Sequence, residues 1–143
     1  MKNKLKKYLP TLLCFGFIVW MIVNADLEQK NLIIDIGESV PWGDKIGHFV
    51  LFGTLALLLN MALGFRQVNI RGRRFQWGSV LVFAFAALEE ISQLAFPSRT
   101  FDLMDMLFDL LGIGVLSSVA FRRYLLKKLR EFTTYVSQRF GVE

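Results

Sequence analysis

The chain has 143 residues, 54% of them hydrophobic, and a formal net charge of +5. Mean hydropathy is +0.44 and the pI about 9.6. A single cysteine, Cys14, excludes an intrachain disulfide and any CxxC metal or redox site, and so much apolar sequence in a chain of one-domain length points to a membrane protein.

Four apolar segments follow in order: Leu9–Ala25, Ile46–Phe65, Phe75–Phe96 and Leu103–Phe121. Each is close to the ~20 residues that carry a helix across ~30 Å of hydrocarbon. The expected fold is all-α, a polytopic membrane protein built as a four-transmembrane-helix bundle over residues 1–121. Ahead of the first segment, "MKNKLKK" followed by an apolar run ending in "VNA" at Ala25 also resembles a secretory signal. The run exceeds the ~7–15 residues of a signal core, which favours an uncleaved anchor.

Between the segments, charge sets the orientation. Lys2, Lys4, Lys6 and Lys7 precede the first span; Arg66, Arg71, Arg73 and Arg74 separate the second from the third. Arg122, Arg123, Lys127, Lys128, Arg130 and Arg139 follow the fourth, whereas the other two loops hold only Lys30, Lys45 and Arg99. Basic and poor loops alternate, so the chain is expected to have both termini in the cytoplasm. Trp20, Trp42 and Trp77 fall near span ends, where their rings suit the interface. The same pattern makes nucleic acid an unneeded partner for the basic charge.

The tail, residues 122–143, carries Leu125, Leu129, Phe132, Val136 and Phe140 at helical spacing among basic residues. It reads as a basic amphipathic helix on the anionic cytoplasmic surface. "LGIGVLSS" at Leu111–Ser118 offers small residues for close helix contact inside the bundle.

The stretch "ALEEISQLAFPSRTFDLMDMLFDLLG", Ala87–Gly112, sets charge inside apolar sequence. With the topology above, Glu89, Glu90 and Gln93 lie in the outer half of the third span. Asp105 and Asp109 lie in the outer half of the fourth, and Asp44, Lys45 and His48 at the outer end of the second. Arg99 belongs to the turn between the last two. Depths agree: Glu90 lies ~10 Å below Pro97, Asp109 ~10 Å below Asp102, and His48 ~6 Å below Asp44. Asp102, Asp105 and Asp109 share one helix face. Turned to lipid, each charge would cost about 2.5–3.5 kcal/mol even on the lenient insertion scale. They are expected to face one another in an outward-opening cleft, where Arg99 would hold an anion or orient Asp105. Spacing leaves open which of Glu89 and Glu90 faces the cleft.

These residues resemble the VanZ-like family of bacterial integral membrane proteins. The pieces are "DKIGHF" at Asp44–Phe49, "EISQ" at Glu90–Gln93 and "PSRTFDLMDMLFDLLG" at Pro97–Gly112. Asp44, Lys45, His48, Glu90, Gln93, Arg99, Asp105 and Gly112 fit the family's order and spacing, over about Pro41 to Ala120. Asp109 stands where the family usually has asparagine, which makes this site more acidic. The resemblance implies a multi-pass membrane protein of the cell envelope, and its founding member is linked to low-level resistance to teicoplanin.

No GxxxxGK[ST] phosphate loop, HExxH zinc motif or GxSxG elbow is present, and no signature marks Ser92 or Ser98 as a nucleophile. Three functions stay open. One is a membrane protein that binds or modulates envelope lipids or lipophilic, glycopeptide-type antibiotics through Asp44, Lys45, His48, Glu90, Gln93, Arg99, Asp105 and Asp109. Another is a membrane enzyme acting on a lipid-linked headgroup, with Glu90, Asp105 and His48 as candidate acid–base groups. Its candidate metal ligands are Glu90, Asp105 and Asp109, whose oxygens would suit Mg²⁺ or another hard divalent cation. The third is a proton or ion pathway. It needs polar groups in the inner halves of the spans, where the sequence shows few beyond Asn60 and Ser79.

Overall fold

The structure, a computed structural model, describes residues 2–29, 32–97 and 99–140. Lys30, Ser98 and the last three tail residues lie outside the described residues, as do the side chains of Val136 and Phe140. Five helices and one hairpin follow in order: α1 Lys2–Asp26, α2 Leu32–Ser39, α3 Gly43–Ala62, β1 Gln67–Ile70, β2 Arg73–Gln76, α4 Trp77–Ser92 and α5 Leu103–Phe140. Four helices, α1, α3, α4 (extended by a 3₁₀ turn at Gln93–Ala95) and α5, are long and apolar enough to cross a membrane. The all-α polytopic bundle expected from hydropathy is the fold.

Helix α3 is the centre, packed on α1, α4 and α5. Its Phe52, Leu55 and Ala56 meet Ile18 of α1, Val82 and Ala86 of α4, and Ile113 of α5 in one apolar core. The spans otherwise leave large apolar side chains exposed, as a lipid-facing surface requires. Cys14 packs against the core as a small hydrophobe. Of the two glycines in Leu111–Ser118, Gly112 brings backbones together and Gly114 does not, a Cβ there meeting nothing within 4 Å. A Cβ on Gly112 would lie 2.1 Å from the Phe49 carbonyl oxygen, and one on Gly53 would lie 2.8 Å from Gly112.

Local chemistry ends the elements. Helix α3 closes in a Schellman motif: Gly64 turns left-handed at φ 65°, Phe65 N–H donates to Asn60 C=O at 2.8 Å, and Gly64 N–H to Met61 C=O at 3.1 Å. Phe65 then stacks near Phe121 and Tyr124 of α5, with ring centroids 5.8 and 4.9 Å away.

Three features depart from the sequence reading. The arginine-rich connection between the second and third spans is a hairpin rather than a plain loop, with Ile70 paired to Arg73. Its turn residues Arg71 and Gly72 both take positive φ, the signature of a two-residue hairpin turn. The connection between the first and second spans contains α2, whose Gly37 is crossed by Gly43 so closely that a Cβ on Gly43 would lie 2.1 Å from the Gly37 oxygen. Finally, α5 does not break near Phe121. Arginine and lysine are good helix formers, so the change from apolar to basic sequence leaves the backbone helical through Phe140.

Candidate functional site

At the end of the bundle opposite the hairpin, the polar residues of α3, α4 and α5 meet. The α5 face is set first. Asp102 caps the helix, its Oδ1 accepting Met104 N–H at 2.8 Å. Asp105 and Asp109 follow on the same face and are buried against α3. Lys45 Nζ of α3 bridges Asp102 Oδ2 at 2.8 Å and Asp105 Oδ1 at 3.0 Å. That ammonium holds the Asp102 carboxyl below its usual range, helped by the Met104 amide. One turn deeper, His48 Nδ1 lies 3.1 Å from Asp109 Oδ1, and its Nε2 lies 4.0 Å from Asp44 Oδ1.

Helix α4 supplies the second half. Both adjacent glutamates turn inward, Glu89 at 5% and Glu90 at 0% exposure, which settles what spacing left open. Gln93 Nε2 ties them together, donating to Glu89 Oε1 at 2.9 Å and Glu90 Oε2 at 3.3 Å. The other oxygen of Glu90 accepts the backbone N–H of Asp102, so this carboxylate fixes the start of α5. Arg99 reaches back to Glu89 Oε1 at 3.5 Å and across to Asp26 Oδ1 at 3.7 Å, at the end of α1.

All eight residues singled out from the sequence lie at this end, but the pairing differs from the expected one. Arg99 serves Glu89 and Asp26, while Lys45 serves Asp105. Asp26, Glu89 and Asp102 complete the cluster. The signal for Asp26 was its place at a span end on the same side; for Asp102, its position opening α5. Asp26, Asp44, Glu89, Glu90, Asp102, Asp105 and Asp109 are seven acids against Lys45, Arg99 and one imidazole. Pairing therefore leaves acceptors over: Glu89 Oε2 and Asp109 Oδ2 are buried without a hydrogen-bond partner.

The metal candidates regroup as well. Among the described residues, the ligand atoms that come within 4.8 Å of one another belong to Asp44, His48 and Asp105. Glu90 and Asp109 are outside that set, Glu90 being engaged by Gln93 and the Asp102 amide. The Lys45 ammonium already sits on Asp105 and supplies a cation there.

Beside the cluster lies a pocket of about 600 Å³ between α1, α2 and α3. Asp44, His48, Glu89 and Arg99 line its polar end. Ile22, Ile33, Ile36, Val50, Leu51 and Phe52 form apolar walls.

A second polar cluster, which sequence reading saw only in part, joins the opposite halves of the helices. Asn60 Nδ2 donates to Ser79 Oγ at 2.9 Å and Ser117 Oγ at 3.0 Å, and the two hydroxyls are 3.1 Å apart. The apolar core at Phe52, Ala56, Val82, Ala86 and Ile113 separates it from the acidic end.

A family model described as VanZ/LLP1 matches residues 2–126. The match includes all of α1 and the first turns of the tail, a wider span than the motifs alone covered. No curated protein and no solved structure matches the chain. With most of its length covered by that model, the chain belongs to the VanZ/LLP1 family.

Proposed function

We propose that this multi-pass VanZ/LLP1 membrane protein binds or modulates an amphiphile of the bacterial envelope, a lipid or a lipophilic glycopeptide-type antibiotic. The acidic end of the bundle would face outward from the cytoplasmic membrane. One observation carries the reading: the pocket joins a charged end, with Asp44, His48, Glu89 and Arg99, to apolar walls. A ligand with a polar head and an apolar chain matches both parts at once. The orientation rests on the basic termini and the four hairpin arginines, all placed inside by the charge rule.

A membrane enzyme acting on a lipid-linked headgroup is the second reading. It is favoured by the His48–Asp109 contact, which engages one ring nitrogen of a histidine that lines the pocket and leaves the other 4.0 Å from Asp44 Oδ1. Glu90, Asp105 and His48 would then share acid–base work. A proton or ion pathway is the weakest reading, because the apolar core lies between the acidic end and Asn60.

The test is the purified full chain in lipid nanodiscs, presented with lipid-linked envelope intermediates and with lipoglycopeptides, recording binding and turnover with and without Mg²⁺. Binding of neither class sinks the proposal, and turnover selects the enzyme. Orientation is tested separately with Gly72→Cys in a Cys14→Ala background. An impermeant thiol reagent should fail to reach it in intact cells; labelling from outside would reverse the topology.

A further inference from the structure

The pocket itself narrows the ligand. We infer that it takes the headgroup and first chain segment of an aminophospholipid, a phosphodiester bearing a primary amine; this rests on the amphiphile-binding reading above.

The argument starts from which charges are already satisfied. Lys45 holds its two aspartates at 2.8 and 3.0 Å, ordinary charge-assisted distances, so it is engaged. Arg99 is not. Its nearest carboxylate oxygens lie at 3.5 and 3.7 Å, and its Nε has no hydrogen-bond partner. A planar guanidinium with loose partners, lining a pocket, is suited to a phosphate. Across the same polar end, Glu89 is 3% exposed in its side chain, and its Oε2 has no hydrogen-bond partner. Asp44 also lines this end, with its side chain 67% exposed.

A headgroup carrying only an anion would satisfy Arg99 but set negative charge beside Asp44 and Glu89. A headgroup carrying only a cation would leave Arg99 with its long contacts to Glu89 and Asp26 and its Nε without a partner. One that carries both, a few bonds apart, answers both sides of the pocket. The amine must have N–H bonds, because a quaternary ammonium cannot donate to Glu89. A chain is needed too: from Asp44 to Phe52 the α3 wall runs about 12 Å, and the facing residues of α1 and α2 are apolar. The volume of about 600 Å³ accommodates a headgroup with the upper part of one chain, within the usual range of ligand pockets.

Gly47 gives a clean way to close the pocket. It lines the cavity, and a Cβ there would meet nothing within 4 Å. Native mass spectrometry of the full chain in detergent can count retained lipids. The probes are phosphatidylethanolamine, phosphatidylglycerol and phosphatidylcholine with identical acyl chains, and glycerophosphoethanolamine as the chain-free headgroup. Phosphatidylethanolamine should be retained about tenfold better than phosphatidylglycerol and at least about threefold better than phosphatidylcholine. The chain-free headgroup should not be retained. Gly47→Phe should abolish retention, Arg99→Gln should lower it about tenfold, and Glu89→Gln should erase the preference for the primary amine. Equal retention of the three lipids, equal binding of the chain-free headgroup, or retention untouched by Gly47→Phe would overturn the proposal. If Gly47→Phe fails to give monodisperse protein, the wild-type ranking of the lipids and the milder Gly47→Leu decide. Gly47-dependent binding of a lipoglycopeptide or lipid pyrophosphate, with none of the amine lipid, overturns this ligand class and leaves the broader reading standing. No binding of any amphiphile overturns both.

Discussion

At one end of the bundle, Asn60, Ser79 and Ser117 join α3, α4 and α5 by hydrogen bonds of 2.9, 3.0 and 3.1 Å, with no formal charge among them. At the other end the same three helices meet through carboxylates, an ammonium and an imidazole. Both sites bury polar atoms, yet they do so under different constraints. The neutral cluster is closed: a Cβ on Gly78 would lie 2.8 Å from the Asn60 backbone nitrogen, so the helices are in backbone contact there. The acidic cluster opens onto a pocket and buries two carboxylate oxygens, Glu89 Oε2 and Asp109 Oδ2, without a partner, where the neutral cluster leaves one amide oxygen, Asn60 Oδ1. Neutral interhelical hydrogen bonds cost little to bury and hold register. An acid-rich cluster is an expensive way to achieve the same end, and its excess acceptors are what a ligand would use.

The seam between α3 and α5 is shared by both ends, so damage to it should erase the contrast altogether. Gly112→Val places side-chain carbon against the Phe49 carbonyl, which is backbone and cannot yield. We expect a loss of about 3 kcal/mol or more, seen as collapse of folded abundance in fluorescence size-exclusion chromatography, with binding lost in proportion.

Next in size, Glu90→Gln, Asp105→Asn and His48→Ala should separate function from folding. Each is expected to lower ligand binding about tenfold or more while membrane insertion holds, since a buried neutral amide costs less than a buried charge. Binding that falls only as abundance falls would make the acidic end architectural, like its counterpart.

The reciprocal change is smaller. Asn60→Ala removes the donor common to both serines and should cost about 1 kcal/mol. It is expected to lower the thermal midpoint and leave the affinity of the acidic end within about twofold. A larger effect on binding than on stability would break the distinction between the two clusters.

The smallest effect is a pH dependence. Lys45 depresses the Asp102 carboxyl below its ordinary value of 3.8. The stabilisation is therefore complete above that value and is lost as pH falls through the lower, folded one. Asp102→Asn should be less stable than wild type near neutral pH, and the gap should narrow below about pH 4. A gap that is constant with pH would mean that Asp102 acts through its capping bond alone.

Physical chemistry explains which of these features could be read from the residues. Four spans were legible because ~20 apolar residues with short polar connections have few alternatives. The acidic end was legible because a span fixes depth, and depth alone brings Glu90 and Asp109 level, with His48 a few ångströms nearer the surface. Partners were not. Whether Arg99 meets Asp105 or Glu89 depends on how each helix is rotated about its axis, and packing sets that rotation. Ser117 was read only as a small residue for the same reason: a hydroxyl in an apolar run carries no polar signal until Asn60 faces it. The hairpin was masked by its arginines, which read as loop charge, although Arg71-Gly72 between Val68, Ile70 and Phe75 was the turn signal available. The continuity of α5 was hidden because a polarity change looks like an element boundary.

That continuity has a mechanical consequence. Helix α5 is 38 residues of unbroken backbone, about 57 Å long. Asp105 and Asp109 lie near one tip, and Lys127, Lys128 and Arg130 toward the other. With no proline or kink between them, the two ends cannot move independently. Beyond Tyr124, which rests on Phe65, about 24 Å of helix remains, so a tilt of about 10° there would sweep the far tip through about 4 Å. The helix is a rod clamped from Asp105 to Tyr124 by α3 and Phe65, and its exposed basic segment projects beyond that clamp as a rigid extension.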